Sequence, residues 1–336
     1  MATSTTATDS TTATATTTTA TEPAAADTAS TSAATSAATA RPASTRTRKR
    51  RIGDRREGRR LRTLPSYNAL TPFIMKKKND ANNFLSDSIE ISEIEKYLRN
   101  KRINGYPGIG ILHLFIAAYI RVVSQYPGVN RFVSGQRIFA RHEIEYLMTI
   151  KKEMKVDAEE TTVKMSFTPW DTIDDVYRKF NAEVEKVRNA GEDTGTDDAA
   201  NMLMKFPRLI LKFIICFLGI LDYFGRVPKS LIEASPFHGS MIITDLGSIG
   251  SPALYHHLYN FGNIPVFIAI GTKQKRLELN ADGSVAERKY VEYKCVMDER
   301  IVDGFYFSQV VKYFKTLLKK PQVLEEPPET VVEDID

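Results

Sequence analysis

Two stretches of this chain, MIITDLGSIG at residues 241–250 and IPVFIAIG at 264–271, are apolar at consecutive positions and end in glycine. A strand with water on one face alternates apolar and polar residues, because successive side chains point to opposite sides. Strands apolar on both sides belong inside a sheet that is covered on both faces. The remaining segments must therefore supply helices as cover.

They do. The run GIGILHLFIAAYIRVVSQ at 108–125 is apolar on nearly every side and stops at Pro127, which predicts a central, buried helix with His113 as a hydrogen-bonded core residue. SIEI at 88–91 alternates into Ser92-x-x-Glu95, a capping-box pattern that opens a short helix ending before Gly105. TVKMSF at 162–167 reads as a strand. Ile173, Val176, Phe180, Val184 and Val187 make an apolar stripe on a polar helix, followed by a loop, GEDTGTDD. LILKFIICFLGIL at 209–221 contains Lys212 and is too short to span a bilayer comfortably, so it reads as a buried or subunit-interface helix. A strand pair turns at Asp282-Gly283, and a closing helix carries Phe307, Val310, Val311, Phe314, Leu317 and Leu318 on one stripe. Neither repeat nor linker interrupts residues 64–320.

The front of the chain is different. Residues 1–40 are almost entirely Thr, Ala and Ser, with no Val, Ile, Leu or Phe, and cannot bury enough apolar surface to offset their ordering entropy. Residues 41–62 carry eleven Lys/Arg against Asp54 and Glu57, a net of +9, while residues 1–40 contribute −3. Removing both from the whole chain's +5 leaves −1 for residues 63–336. The basicity thus belongs to the tail and is no argument for a nucleic-acid-binding domain. The basic run suits an anionic partner such as RNA, lipid or an acidic protein, and it lacks aromatics for base stacking. The organisation expected is a disordered Thr/Ala-rich then basic tail at 1–62, one α/β domain at 63–320, and an acidic, flexible C-terminus at 321–336.

The N-terminus has neither the basic start nor the apolar core of a secretory signal. The two cysteines, Cys216 and Cys295, sit in apolar runs and suit small hydrophobes in a reducing compartment. The expectation is a cytoplasmic protein without metal ligands at recognisable spacing and without a membrane span.

The chemistry concentrates in CVMDERIVDG at 295–304, where Asp298, Glu299, Arg300 and Asp303 interrupt an apolar passage. Parity puts Val291, Tyr293, Cys295 and Met297 on one face and Glu292, Lys294 and Asp298 on the other. Continued, it places Glu299 on the apolar face. Burying a carboxylate is costly and raises its pKa unless a cation or donor compensates. Either Glu299 pairs with Arg300 or another basic group and pins the turn, or it is a proton-transfer group in a pocket.

DERIVDGFYFSQVVKYFKTLL resembles the C-terminal signature of the 2-oxoacid dehydrogenase acyltransferase catalytic domain and its relative, chloramphenicol acetyltransferase, in which His-x-x-x-Asp-Gly follows a strand and precedes a helix. MIITDLGSIG resembles the Ser-bearing strand of that family, and IPVFIAIG the apolar strand after it, in the same order and spacing. The resemblance covers residues 64–320. It implies a chloramphenicol acetyltransferase-like fold: two α/β layers, a mixed sheet with flanking helices. It also implies a homotrimer, or a higher assembly of trimers, with active sites between subunits. Coenzyme A or acyl-coenzyme A would be a substrate, and a small molecule or a lipoyl protein acting in trans the acyl donor or acceptor. The motif histidine acts as general base, a serine hydroxyl from the neighbouring subunit stabilises the oxyanion, and the motif aspartate orders the loop.

Carried over by position, the aspartate is Asp303, followed by Gly304, and the hydroxyl is Thr244, with Ser248 as fallback. Glu299 stands at the histidine position. A thiol titrates near 8.5, imidazole near 6.5 and glutamate near 4.3, so an ordinary carboxylate is a poor base for a thiol unless burial lifts it. His238, His256, His257 and His142 carry no motif of their own, although His256 and His257 lie near the glycine strand. Residues 1–62 cannot form the lipoyl or subunit-binding domains of multidomain family members. Three readings follow: a coenzyme A-dependent acyltransferase using Glu299, a catalytically silent trimeric scaffold, and an antibiotic O-acetyltransferase.

Overall fold

The computed structural model describes residues 49–151, 160–189 and 203–336. Residues 1–48 and the GEDTGTDD loop lie outside the described residues. Nine strands are described: β1 (Gly58–Arg60), β2 (Asn82–Glu90), β3 (Arg131–Ser134), β4 (Arg137–Arg141), β5 (Ile144–Lys151), β6 (Glu160–Phe167), β7 (Met241–Asp245), β8 (Val266–Leu279) and β9 (Val285–Asp298). The main sheet runs β2-β9-β8-β7-β5-β6, and a small antiparallel sheet runs β1-β4-β3. In the main sheet β7 pairs in parallel with both β5 and β8, and the other pairings are antiparallel. The two doubly apolar segments contribute β7 and β8, side by side at the centre.

The helices are α1 (Ser66–Ile74), α2 (Ser92–Ile103), α3 (Ile111–Gln125), α4 (Ile173–Asn189), α5 (Arg208–Phe224), α6 (Lys229–Ala234) and α7 (Gly304–Lys319). Every residue of α3 from His113 to Ser124 is buried, as its all-round apolar surface requires. Phe115 on α3 meets Tyr293 of β9 and Phe314 of α7 edge-on, with ring centroids 5.6 and 5.3 Å away. His113 accepts a hydrogen bond at Nδ1 from the Gly110 amide and packs on Phe180 of α4. Burial pushes its imidazole down to about 4. The core thus lies between one face of the sheet and the helices α2, α3, α4 and α7. The opposite face is covered differently, by the chain after β7: Leu258 packs with Phe267 and Val296. Close approach there explains one glycine in each central segment. A Cβ on Gly247 would lie 2.5 Å from the Gly271 carbonyl oxygen, and one on Gly271 would lie 2.4 Å from the Ala253 nitrogen.

Four expectations need correction. The capping box does not form: α2 starts after Ile91 without a side-chain cap, and Glu95 instead pairs with Lys273 and Lys289 across the sheet. The basic tail does not stay apart as far as residue 62. Gly58–Arg60 pairs with β4, and Asn263 donates to Glu57 at 2.8 Å and accepts from Arg141 at 2.8 Å. The C-terminus is not frayed either, because Asp334 holds Arg131 in a buried pair at 2.5 Å and the Asp336 carbonyl accepts from the Arg62 and Thr63 amides. These opposite charges, some 200 residues apart in sequence, pair only once the fold brings them together. Finally, of the two readings of α5 the buried one falls, since none of its residues is buried against the described residues, and with it Cys216 is exposed, whereas Cys295 is buried and its thiol pushed up to about 12.

Candidate active site

The motif loop begins where β9 ends. Asp298 is buried, and its carboxylate accepts from the Arg300 amide at 3.1 Å and from the Arg300 guanidinium at 2.8 and 2.6 Å. An aspartate that binds the backbone two residues ahead replaces the strand ladder with a turn. Alternation stops there, so Glu299 is exposed instead of facing the apolar side, and its amide donates to the Ala81 carbonyl at 2.8 Å. The partner of Arg300 is therefore Asp298 and not Glu299. Both members of the pair are at most 5% exposed, which is tolerable only because the charges neutralise each other and share three hydrogen bonds.

The loop is held from other sides too. Arg300 donates to the Met75 carbonyl at 3.1 Å, and Arg131 donates to the Ile301 carbonyl at 3.1 Å. Asp303 is the N-cap of α7, accepting from the Tyr306 amide at 2.8 Å. The Tyr306 hydroxyl in turn accepts from the Gly128 amide at 3.0 Å. Of the loop's four charged side chains, only Glu299 is left without a partner among the described residues.

Thr244 is half-buried near the end of β7, and its side chain also has no hydrogen-bond partner among the described residues. Ser248 is a weaker candidate: its hydroxyl is committed to the Asp245 carbonyl at 2.7 Å. Asp245 is used locally, its carboxylate accepting from the Ser248 amide at 3.2 Å, and burial raises its pKa although the backbone bonds oppose this. The fold separates Thr244 from Glu299 within one chain. Thr244 lies level with Ala269, which lies level with Lys294 of β9. Asp298 is four residues further on, so Glu299 is more than roughly 13 Å along the sheet from Thr244, as well as about two strand spacings across it.

The histidines are otherwise engaged. His238 is buried between Ser235 Oγ at 2.8 Å and Asp222 at 3.2 Å, and His256 stacks on Phe267 at 4.4 Å. One residue that the sequence did not single out is Lys78, in a short 3-10 turn (Lys78–Ala81) ending at the carbonyl that holds Glu299. Lys78 is buried, donates to the Gly262 carbonyl at 2.7 Å, and is pushed down to about 7 by burial, against the opposing pull of Asp298. Within KKKND nothing distinguishes it from Lys76 and Lys77. Among the described residues no group of three or more His, Cys, Asp or Glu side chains is gathered as for a metal ion.

The mixed sheet with helices on one face gives this chain a fold similar to that of the acetyltransferase cores of 2-oxoacid dehydrogenase complexes. The particular likenesses are to a probable dihydrolipoamide acetyltransferase from Listeria monocytogenes 4b F2365 (TM-score 0.51, 13% identity, 77% of this chain and 94% of that one). They extend to the cubic core of a pyruvate dehydrogenase multienzyme complex (TM-score 0.51, 12% identity, 79% and 93%). The dihydrolipoamide acetyltransferase of Azotobacter vinelandii is similar at TM-score 0.50 and 12% identity, over 79% and 93%. These establish the fold. No protein-family model matches the sequence, and no curated protein matches it.

Proposed function

We propose that this chain is a coenzyme A-dependent acyltransferase whose site is completed between protomers, with Glu299 of one chain as proton acceptor and Thr244 of the next as oxyanion donor. The observation that carries this reading is the selective freedom of Glu299. Asp298 and Arg300 neutralise each other and Asp303 caps a helix, so among the described residues the loop leaves one acid unengaged. The separation of Thr244 from Glu299 within a chain supports a shared site, as does the likeness to the core of a multienzyme complex. A trimer with a heterologous interface brings such groups together around its axis.

In the reaction, the Glu299 carboxylate accepts the proton of the attacking thiol or hydroxyl. The nucleophile adds to the thioester carbonyl of acyl-coenzyme A, the Thr244 hydroxyl donates to the developing oxyanion, and collapse expels the coenzyme A thiolate, which takes the proton back. Coenzyme A enters as a substrate. The apolar surroundings that would desolvate Glu299 are missing among the described residues of one chain and would come from the neighbour.

A second reading, a silent scaffold of the same fold, is favoured by one observation: Glu299 is exposed where a general base for a thiol needs shelter. Coenzyme A release from acetyl-coenzyme A with dihydrolipoamide, followed between pH 6 and 9, separates the two. The acyltransferase reading expects Glu299→Gln to lower turnover by about 10²–10⁴ and Glu299→His to retain or raise it. Turnover that is absent in both wild type and Glu299→His supports the scaffold.

A further inference from the structure

Helix α5 is the most unusual surface of the molecule. None of its seventeen residues is buried. Leu209, Phe213, Phe217, Ile220 and Phe224 recur at spacings of four, four, three and four, which sets them on one stripe. That stripe is the outward one: Leu209 is 81%, Phe213 71% and Phe224 60% exposed. Leu211, Ile214, Leu218 and Leu221, on the opposite side, are half-buried. The helix therefore has an inner face of its own and presents a second apolar face that nothing among the described residues covers.

Its surroundings are cationic. Arg55 donates to the Tyr223 and Phe224 carbonyls at 2.8 and 2.7 Å and to Ser134 Oγ at 3.1 Å, tying the C-terminal end of α5 to the basic N-terminal segment. A cleft in that segment is lined by nine Lys and Arg side chains against only Asp54 and Asp336. Ile52 within the segment is 99% exposed. Lys205, Arg208, Lys212, Arg226 and Lys229, all exposed, continue the positive charge past both ends of the helix. The one acid on α5, Asp222, is turned toward His238.

We infer that α5 and the basic segment together form a docking surface for an anionic lipid bilayer. The helix lies in the plane of the headgroups with Leu209, Phe213, Phe217, Ile220 and Phe224 at the acyl boundary, and the surrounding arginines and lysines meet lipid phosphates. An apolar stripe bordered by cations is the pattern of an interfacial helix. At about 25 Å the helix is shorter than the roughly 30 Å hydrocarbon core, and no helix among the described residues is long and apolar enough to cross a membrane. Charge complementarity selects the occupant: a two-fold-related copy would set the same cationic cleft against itself, whereas an anionic membrane neutralises it. The inference goes beyond acyl transfer and stands or falls separately from it.

The test is co-sedimentation of the full-length protein with vesicles of phosphatidylcholine alone and with about a third phosphatidylserine. Binding is expected to be at least about tenfold tighter to the anionic vesicles and to weaken with added salt. The pair Phe213→Ser/Phe217→Ser, and separately Leu209→Gln, are expected to reduce binding about tenfold or more with circular dichroism and oligomer size unchanged, and Lys49→Glu/Arg56→Glu to reduce it further. Three results would overturn the inference: no preference for anionic vesicles, binding that survives loss of the phenylalanines, or oligomers that dissociate on Phe213→Ser/Phe217→Ser, which would assign the stripe to a second copy of the chain.

Discussion

The loop at 298–304 buries charge, and helix α5 exposes hydrocarbon. Both depart from what folding alone favours, in opposite directions. In the loop the departure is resolved internally: Asp298 and Arg300 satisfy each other, the Met75 carbonyl accepts from Arg300, Arg131 donates to the Ile301 carbonyl, and the Glu299 backbone is held by the Ala81 carbonyl. In α5 it is not resolved among the described residues, since five large side chains stay exposed there. A compensated irregularity fixes geometry, while an uncompensated one asks for a partner.

The contrast leads to graded expectations for stability. Removing one member of the buried pair should do most harm, because the other charge is left alone. Arg300→Ala is expected to cost about 3–5 kcal/mol in urea unfolding, and a loss below about 1 kcal/mol would mean that the pair is open to water. Lys78, beside that pair, gives a pH signature. Its pKa is near 7 folded and near 10.5 unfolded, so the unfolded chain holds more protons between these values and stability rises with pH across that window. The rise should amount to a few kcal/mol and vanish in Lys78→Met, as measured by denaturant midpoints from pH 7 to 10.5. Asp303→Ala removes only a helix cap and should cost about 1 kcal/mol in the same assay. Phe213→Ser should change stability by less than about 0.5 kcal/mol, where Phe115→Ala, of similar size but in the core, should cost about 3–5.

Much of the fold is readable from local pattern. Residues 241–250 and 264–271 announce central strands because no edge strand needs apolar residues on both faces, and α3 announces its burial because no side of it suits water. The loop is only half readable. The order Asp298, Glu299, Arg300 states that charge is present, but parity assigned the inward position to Glu299. Alternation holds only while the ladder continues, and Asp298 ends it by bonding the Arg300 amide. The choice between burial and an interface for α5 was illegible for a related reason: a helix apolar on both faces has the same periodicity in a core as at an interface. The ordered ends of the domain were hidden in long-range pairs, Arg131 with Asp334 and Glu57 with Asn263, which leave no local trace.

The shared site is tested most directly by mixing two inactive forms, Glu299→Gln and Thr244→Val, by co-expression and measuring coenzyme A release. If Glu299 of one chain works with Thr244 of the next, each parent is impaired and mixed oligomers regain on the order of a quarter of wild-type turnover, the share of interfaces that combine both intact residues. Mixed oligomers as inactive as their parents would contradict a site built between protomers.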